Sequence, residues 1–217
     1  MFTIMATRKY EQTRRAEAQA ETRLRIVEAI VALHREVGPA RTTISAIAER
    51  AGVERLTVYR HFADETEMFQ ACSAHFTAQV GTPDPAAWAD VQAPAERLRA
   101  ALLAFYGYYG RAEEMLVQVE RDAPQLPALQ EVLKPWGAFV GQVRDGLLRG
   151  WGVQGAARRR LAAAVAHALR FGTWRSLART EALGDAEAAD LMVTLARAAA
   201  GHPGRQTASR SRAALSR

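Results

Sequence analysis

Apolar residues fall on one side of successive helical turns along almost the whole chain, and no stretch alternates at the two-residue period of a strand. Ile26, Ile30, Leu33 and Val37 recur at three- and four-residue steps with Val27 and Val31 beside them. They predict an amphipathic helix that stops at Gly38-Pro39, where glycine supplies a left-handed cap and proline forbids continuation. A second, short helix runs from about Ile44 through Ile47 and Ala48 to Ala51, capped by Thr42 or Thr43 and broken by Gly52. A third follows from Arg55 to Phe62 and buries Val58 and Phe62. Asp64, with Glu67 three residues on, forms a capping box that opens a fourth.

After Val80 the stretch GTPDPAAWADVQAP is rich in breakers and is expected to be a loop. Further helices are expected at about 95–110, 112–121, 126–149, 156–180 and 185–200, separated at Pro124, Pro127, Gly150-Trp151-Gly152 and Gly184-Asp185. The expected fold class is all-α, with about nine helices: an N-terminal three-helix head and a C-terminal helical body. The domain reading is a basic flexible arm at 1–20, the head at 21–64, a regulatory and dimerisation body at 65–200, and a disordered basic tail at 201–217.

Charge is distributed unevenly over this frame. The net formal charge of +6 over 217 residues divides into eleven bases against seven acids in 1–63, fourteen against sixteen in 64–200, and four arginines with no acid in 201–217. A basic head on a near-neutral body points to a polyanionic partner. No apolar run approaches the roughly 20 residues of a membrane helix, and the first residues lack the apolar core of a secretory leader. The single cysteine, Cys72, allows no internal disulfide and no cysteine-built metal site. The expected compartment is the cytoplasm, with no membrane partner.

The segment TISAIAERAGVERLTVYRHF, 43–62, has the form of a helix-turn-helix: an apolar inner face, Ala48 where the helices touch, Gly52 in the turn and Val53 beneath it. Its second helix carries Arg55, Thr57, Tyr59, Arg60 and His61, all able to donate to phosphates or bases.

With TTISAIAERAGV, TVYRHF and the acidic capped segment ADETEMF in sequence, the chain resembles the tetracycline-repressor (TetR) family over about 23–69. The resemblance implies a DNA-binding head, a body with a small-molecule pocket, and a homodimer joined through the last two long helices. Carried over by position, it places Tyr59 and His61 on phosphates, Thr57 on the backbone beside them, and Arg55 and Leu56 at base edges. Thr43 and Arg60 complete the expected DNA-binding set. Arginine to guanine is the commonest specific contact, and leucine can pack on thymine methyls. The chain departs from the family at Glu54, where a serine cap is usual, at Leu56, where glycine is common, and at Glu65, where a lysine usually touches phosphate. Arg8, Lys9, Arg14 and Arg15 are available to compensate.

In the body, Phe105 and Tyr109 share a helix face, as do Trp136 and Phe139, and His167, Phe171 and Trp174 follow on a later helix. If these faces converge they line an apolar chamber with a few polar points, as ligand pockets are; for most of them core packing is the better account. Alanines in 156–200, among them Ala162, Ala189 and Ala196, allow the close helix approach of the expected dimer interface. An enzyme is not expected: there is no phosphate loop, no metal-ligand spacing among the histidines, and no nucleophile context. No cofactor and no metal are expected. The expected function is a ligand-responsive transcriptional repressor that binds a double-stranded operator as a homodimer. The alternative is an effector-independent or architectural DNA-binding protein.

Overall fold

The computed structural model describes the backbone of residues 2–201 and the side chains from residue 12 onward, so the expected basic tail lies almost wholly outside the described residues. Among the described residues ten α-helices follow one another: α1 Phe2–Glu36, α2 Ile44–Ala51, α3 Arg55–His61, α4 Glu65–Val80, α5 Ala86–Ala89, α6 Pro94–Asp122, α7 Pro127–Leu147, α8 Gly155–Ala168, α9 Phe171–Arg175 and α10 Asp185–Ala199. No strand occurs among the described residues.

The chain divides into two compact units. One comprises residues 1–83 and 107–140, the other 84–106 and 141–217. In the first, α1 packs on α2 and α4, and α2 on α3. Ile26, Ile30, Ile47, Val58, Phe62 and Phe69 are all buried there. The expected inner face of α1 is therefore the observed one. In the second unit α8 packs on α10, around Leu161, Val165, Ala188 and Ala196. The hydroxyl of Tyr106, wholly buried, donates to the Ala168 carbonyl at 3.0 Å, which satisfies a polar tip that burial would otherwise leave costly.

Several boundaries differ from those read in the sequence. Residues 2–20, expected as an arm, continue α1, because helix formers run without glycine or proline up to Gly38. α6 runs unbroken where two helices were expected. Leu98, Leu102, Phe105, Tyr109 and Ala112 form one buried stripe through Gly107 and Gly110, and glycine without proline weakens a helix rather than ending it. The segment expected as one helix over 156–180 stops at Ala168, restarts at Phe171 and ends in a π-helical turn at 176–180. α5 is a single turn inside the expected loop, fixed by the buried Trp88.

The end of α1 is held by side chains of α6. Asp122, 3% exposed, receives the Ala40 N–H at 3.0 Å and pairs with Arg121 at 2.6 Å, while Arg121 also donates to the Val37 carbonyl at 2.9 Å. Gly38 sits among them at φ 94°, ψ 159°, outside the ordinary left-handed well and in a region that only glycine occupies readily. A Cβ there would lie 2.5 Å from an Asp122 carboxylate oxygen. Gly38→Ala should therefore cost about 1–3 kcal/mol from backbone conformation alone, with the clash added. Denaturant unfolding of the two proteins measures it, and equal midpoints would refute the assignment.

Candidate functional site

The segment 43–62 is built as two helices around a tight turn. Thr43, not Thr42, caps α2: its hydroxyl accepts the Ala46 N–H at 3.2 Å. The Thr42 hydroxyl instead donates to the Gly38 carbonyl at 2.9 Å. Gly52 adopts φ 64°, ψ 42°, a conformation most side chains resist, and the Val53 N–H returns to the Ala48 carbonyl at 3.0 Å. That reversal lets α3 start at once.

Only Val58 of α3 is buried, with Phe62 buried just beyond its end. Arg55, Leu56, Tyr59 and Arg60 form its exposed face, flanked by the half-buried Thr57 and His61. Leu56 is 58% and Tyr59 55% exposed. Among the described residues, none of Arg55, Thr57, Tyr59, Arg60 or His61 spends its side chain on an internal hydrogen bond or ion pair. Glu54 makes no side-chain cap to α3, although its carbonyl receives the Thr57 N–H at 2.8 Å.

The neighbouring polar groups are, by contrast, engaged. Asp64 caps α4 by accepting the Glu67 N–H at 2.8 Å, and Glu67 reaches back to the Ala63 N–H at 2.9 Å. Glu67 also pairs with Arg23 at 3.0 Å, and the Arg23 guanidinium lies 4.3 Å from the centre of the Phe62 ring. Glu65 is exposed in the first turn of α4, where a carboxylate favours the helix dipole.

A cavity of about 480 Å³ lies within the same compact unit. It is lined by side chains from α1, α4, α6 and α7, including His34, Phe76, Tyr108, Met115, Trp136 and Phe139. Tyr108, Trp136 and Phe139 form a chain of tilted rings with centroids 5.3 and 5.5 Å apart. His34 is buried, and its Nδ1 lies 3.4 Å from the Cys72 sulfur. A second, smaller cavity of about 210 Å³ lies beneath α3 and touches Val58, Tyr59 and Phe62. His34, Pro39 and Phe69 line both.

Residues 26–72 match the model of the bacterial regulatory proteins of the tetR family. Over 58 residues the chain is 45% identical to the HTH-type transcriptional regulator TtgR of Pseudomonas putida, and equally to the probable regulator ArpR of the same species. Over these residues the chain is similar to the tetR family. That match spans 27% of this chain and 28% of each of those relatives. The fold agrees over a longer span. A TetR-like regulator from Rhodococcus sp. RHA1 superposes with a TM-score of 0.59 at 24% identity, covering 83% of this chain and 96% of that one. NalD, the secondary repressor of the MexAB-OprM multidrug efflux pump in Pseudomonas aeruginosa, does so with 0.56 at 20%, over 84% and 96%.

Of the residues read from the sequence as a TetR-type effector chamber, only Trp136 and Phe139 line the larger cavity. Tyr109 is buried beside Tyr108, the ring that does line it. Phe105, Phe171 and Trp174 are buried in the other compact unit. There Trp174 donates to Asp185 at 2.8 Å and carries Arg179 on its ring, which is packing of the unit's own core. His167 is exposed, with Thr173 close to its ring, so it is not a buried imidazole in search of a partner. The sequence reading missed His34, Cys72 and Tyr108. His34 follows Ile30 by four residues, and that spacing put it on the buried face of α1.

Burial lowers the His34 imidazole from 6.5 to about 4, against an opposing pull from Asp122. The folded protein therefore binds fewer protons here than the unfolded chain, and this contribution to stability is present above pH 6.5 and lost as pH falls toward 4. On the order of 3 kcal/mol is at stake. Between pH 6.5 and 4, wild type should lose more stability than His34→Gln by roughly that amount. Parallel denaturation curves for the two proteins across the window would contradict it.

Proposed function

We propose that the chain is a transcriptional repressor that binds an operator as a homodimer and releases it when a small apolar or aromatic effector enters the larger cavity. One observation carries the DNA-binding part: the exposed face of α3 and its half-buried flanks offer five donor-bearing side chains, none spent on an internal hydrogen bond or ion pair among the described residues. Arg55 and Leu56, at the start of α3, are placed to read base edges, Arg55 by a bidentate pair to guanine and Leu56 by contact with a thymine methyl. Tyr59, His61 and Thr57 serve the phosphates, which set register rather than sequence. Thr43 serves as the helix cap that orients α2, and Arg60 adds charge at the edge. Glu65 opposes phosphate approach, so this head relies on fewer backbone contacts than a lysine there would give.

The repressor reading draws on the naming of NalD as a repressor and of TtgR and ArpR as HTH-type regulators. A homodimer is supported by α10, where Leu191 and Leu195 are 41% and 49% exposed on one helix face. Ala189, by contrast, is wholly buried within its own unit and is not a partner-facing position. Two recognition helices related by two-fold symmetry require an inverted repeat. Effector response is supported by the shared wall of the two cavities: a ligand seated against His34 and Phe69 presses on side chains that also line the space under α3. Release follows only if the ligand binds the DNA-incompetent form more tightly, since equal affinity shifts nothing.

Fluorescence anisotropy on a duplex from upstream of the protein's own gene tests this. Arg55→Ala should cost about 1–3 kcal/mol and relax specificity at one base position. Tyr59→Phe should weaken binding to specific and random duplex alike. If wild type binds the upstream fragment no better than random duplex at moderate salt, the reading is wrong. Leu191→Glu with Leu195→Glu should give a monomer by light scattering; a wild type already monomeric at micromolar concentration would remove the dimer from the account.

A further inference from the structure

The larger cavity has no aspartate, glutamate, lysine or arginine in its wall. Its polar points are neutral: His34, Gln70, Cys72, Ser73, Thr77, Thr82 and the Tyr108 hydroxyl. The rest is aliphatic or aromatic. Two charges act on this wall from outside the lining: Arg35, whose guanidinium lies 5.4 Å from the centre of the Phe76 ring, and Asp122, which acts on His34 but is already matched by Arg121. A charged ligand entering such a space gives up hydration and finds no counter-charge to replace it.

His34 adds direction. It is 96% buried, its Nδ1 is occupied by the Cys72 sulfur at 3.4 Å, and its Nε2 has no partner among the described residues. Burial also pushes the Cys72 thiol up to about 12, so the sulfur stays protonated and can donate its S–H to Nδ1. A neutral imidazole that accepts at one nitrogen carries its proton on the other. With the thiol donating, Nε2 is left as a donor on a residue that lines the cavity.

Resting on the reading of this cavity as the effector site, we infer that it selects uncharged, largely aromatic molecules bearing a carbonyl- or ether-type acceptor, which Nε2 of His34 receives. The same contact ties the ligand to α1, and His34 lines the smaller cavity under α3 as well. The acceptor is thus the part of the ligand that reaches the DNA-facing helices.

Four naphthyl probes of similar size separate the possibilities: naphthalene, 2-acetylnaphthalene, 2-naphthoate and 2-naphthylmethylammonium, titrated into the full chain by calorimetry. 2-Acetylnaphthalene should bind at least tenfold tighter than either ion and several-fold tighter than naphthalene. Its carbonyl stretch should shift to lower frequency on binding, as hydrogen bonding to the oxygen requires. His34→Leu should abolish both the advantage over naphthalene and the shift. The infrared measurement on wild type keeps the test decisive if that variant does not fold. Either ion binding as tightly as the ketone, or an unshifted carbonyl, overturns the ligand assignment while leaving the cavity as the binding site. If Leu133→Trp, which fills the cavity, leaves all four affinities unchanged, or if none of the probes binds, the cavity reading falls and this inference with it.

Discussion

A carboxylate with almost no access to water organises the helix-turn-helix part of this protein. Asp122 cannot be buried unless its charge is matched, and it is matched by Arg121 beside it and by the Ala40 N–H. Arg121 holds its carboxyl below the usual carboxylate range, against the cost of burial. The pair fixes residues 37–41, the turn from which α2 departs, and the turn accepts them only because Gly38 takes a conformation closed to other residues. With that turn fixed, α2 packs on α1, α3 follows through Gly52, and the outer face of α3 has a defined direction within its unit. Removing one partner of such a pair leaves a charge buried alone.

Around this anchor the polar groups divide into two sets. Those at the ends of α2 and α4 are consumed by caps: Thr43 on Ala46, Asp64 on Glu67, Glu67 on Ala63 and Arg23. Those on α3 are not. Tyr59 and Leu56 are left more than half exposed beside these unspent donors. The larger cavity obeys the opposite rule, with neutral polar points and no formal charge in its wall. One unit thus holds an outer helix face of unspent donors and an interior without formal charge in its wall, with His34, Pro39 and Phe69 lining both cavities.

The sequence made the head legible because local rules agree there. Capping residues, a glycine at the turn and a three-to-four-residue apolar period all indicate the same helices, and α2, α3 and α4 lie within a residue of their expected limits. The body was legible as helical but not as a site. Aromatic residues at helical spacing mark a buried face without saying which neighbour it meets. Hence Phe171 and Trp174 belong to the core of one unit while Trp136 and Phe139 line a cavity in the other. His167 misled because an imidazole beside apolar residues can still point to solvent at a helix end. His34 was the better candidate, four residues after Ile30 on a face already known to be buried.

The claim on which everything else rests is that α3 reads sequence. Selection of bound duplexes from a random pool, carried out in parallel with wild type and Arg55→Ala, tests it most directly. The account predicts enrichment of an inverted repeat by the wild type, and loss of preference at one symmetric base position in the variant. A pool that emerges from wild-type selection without any shared motif would contradict it.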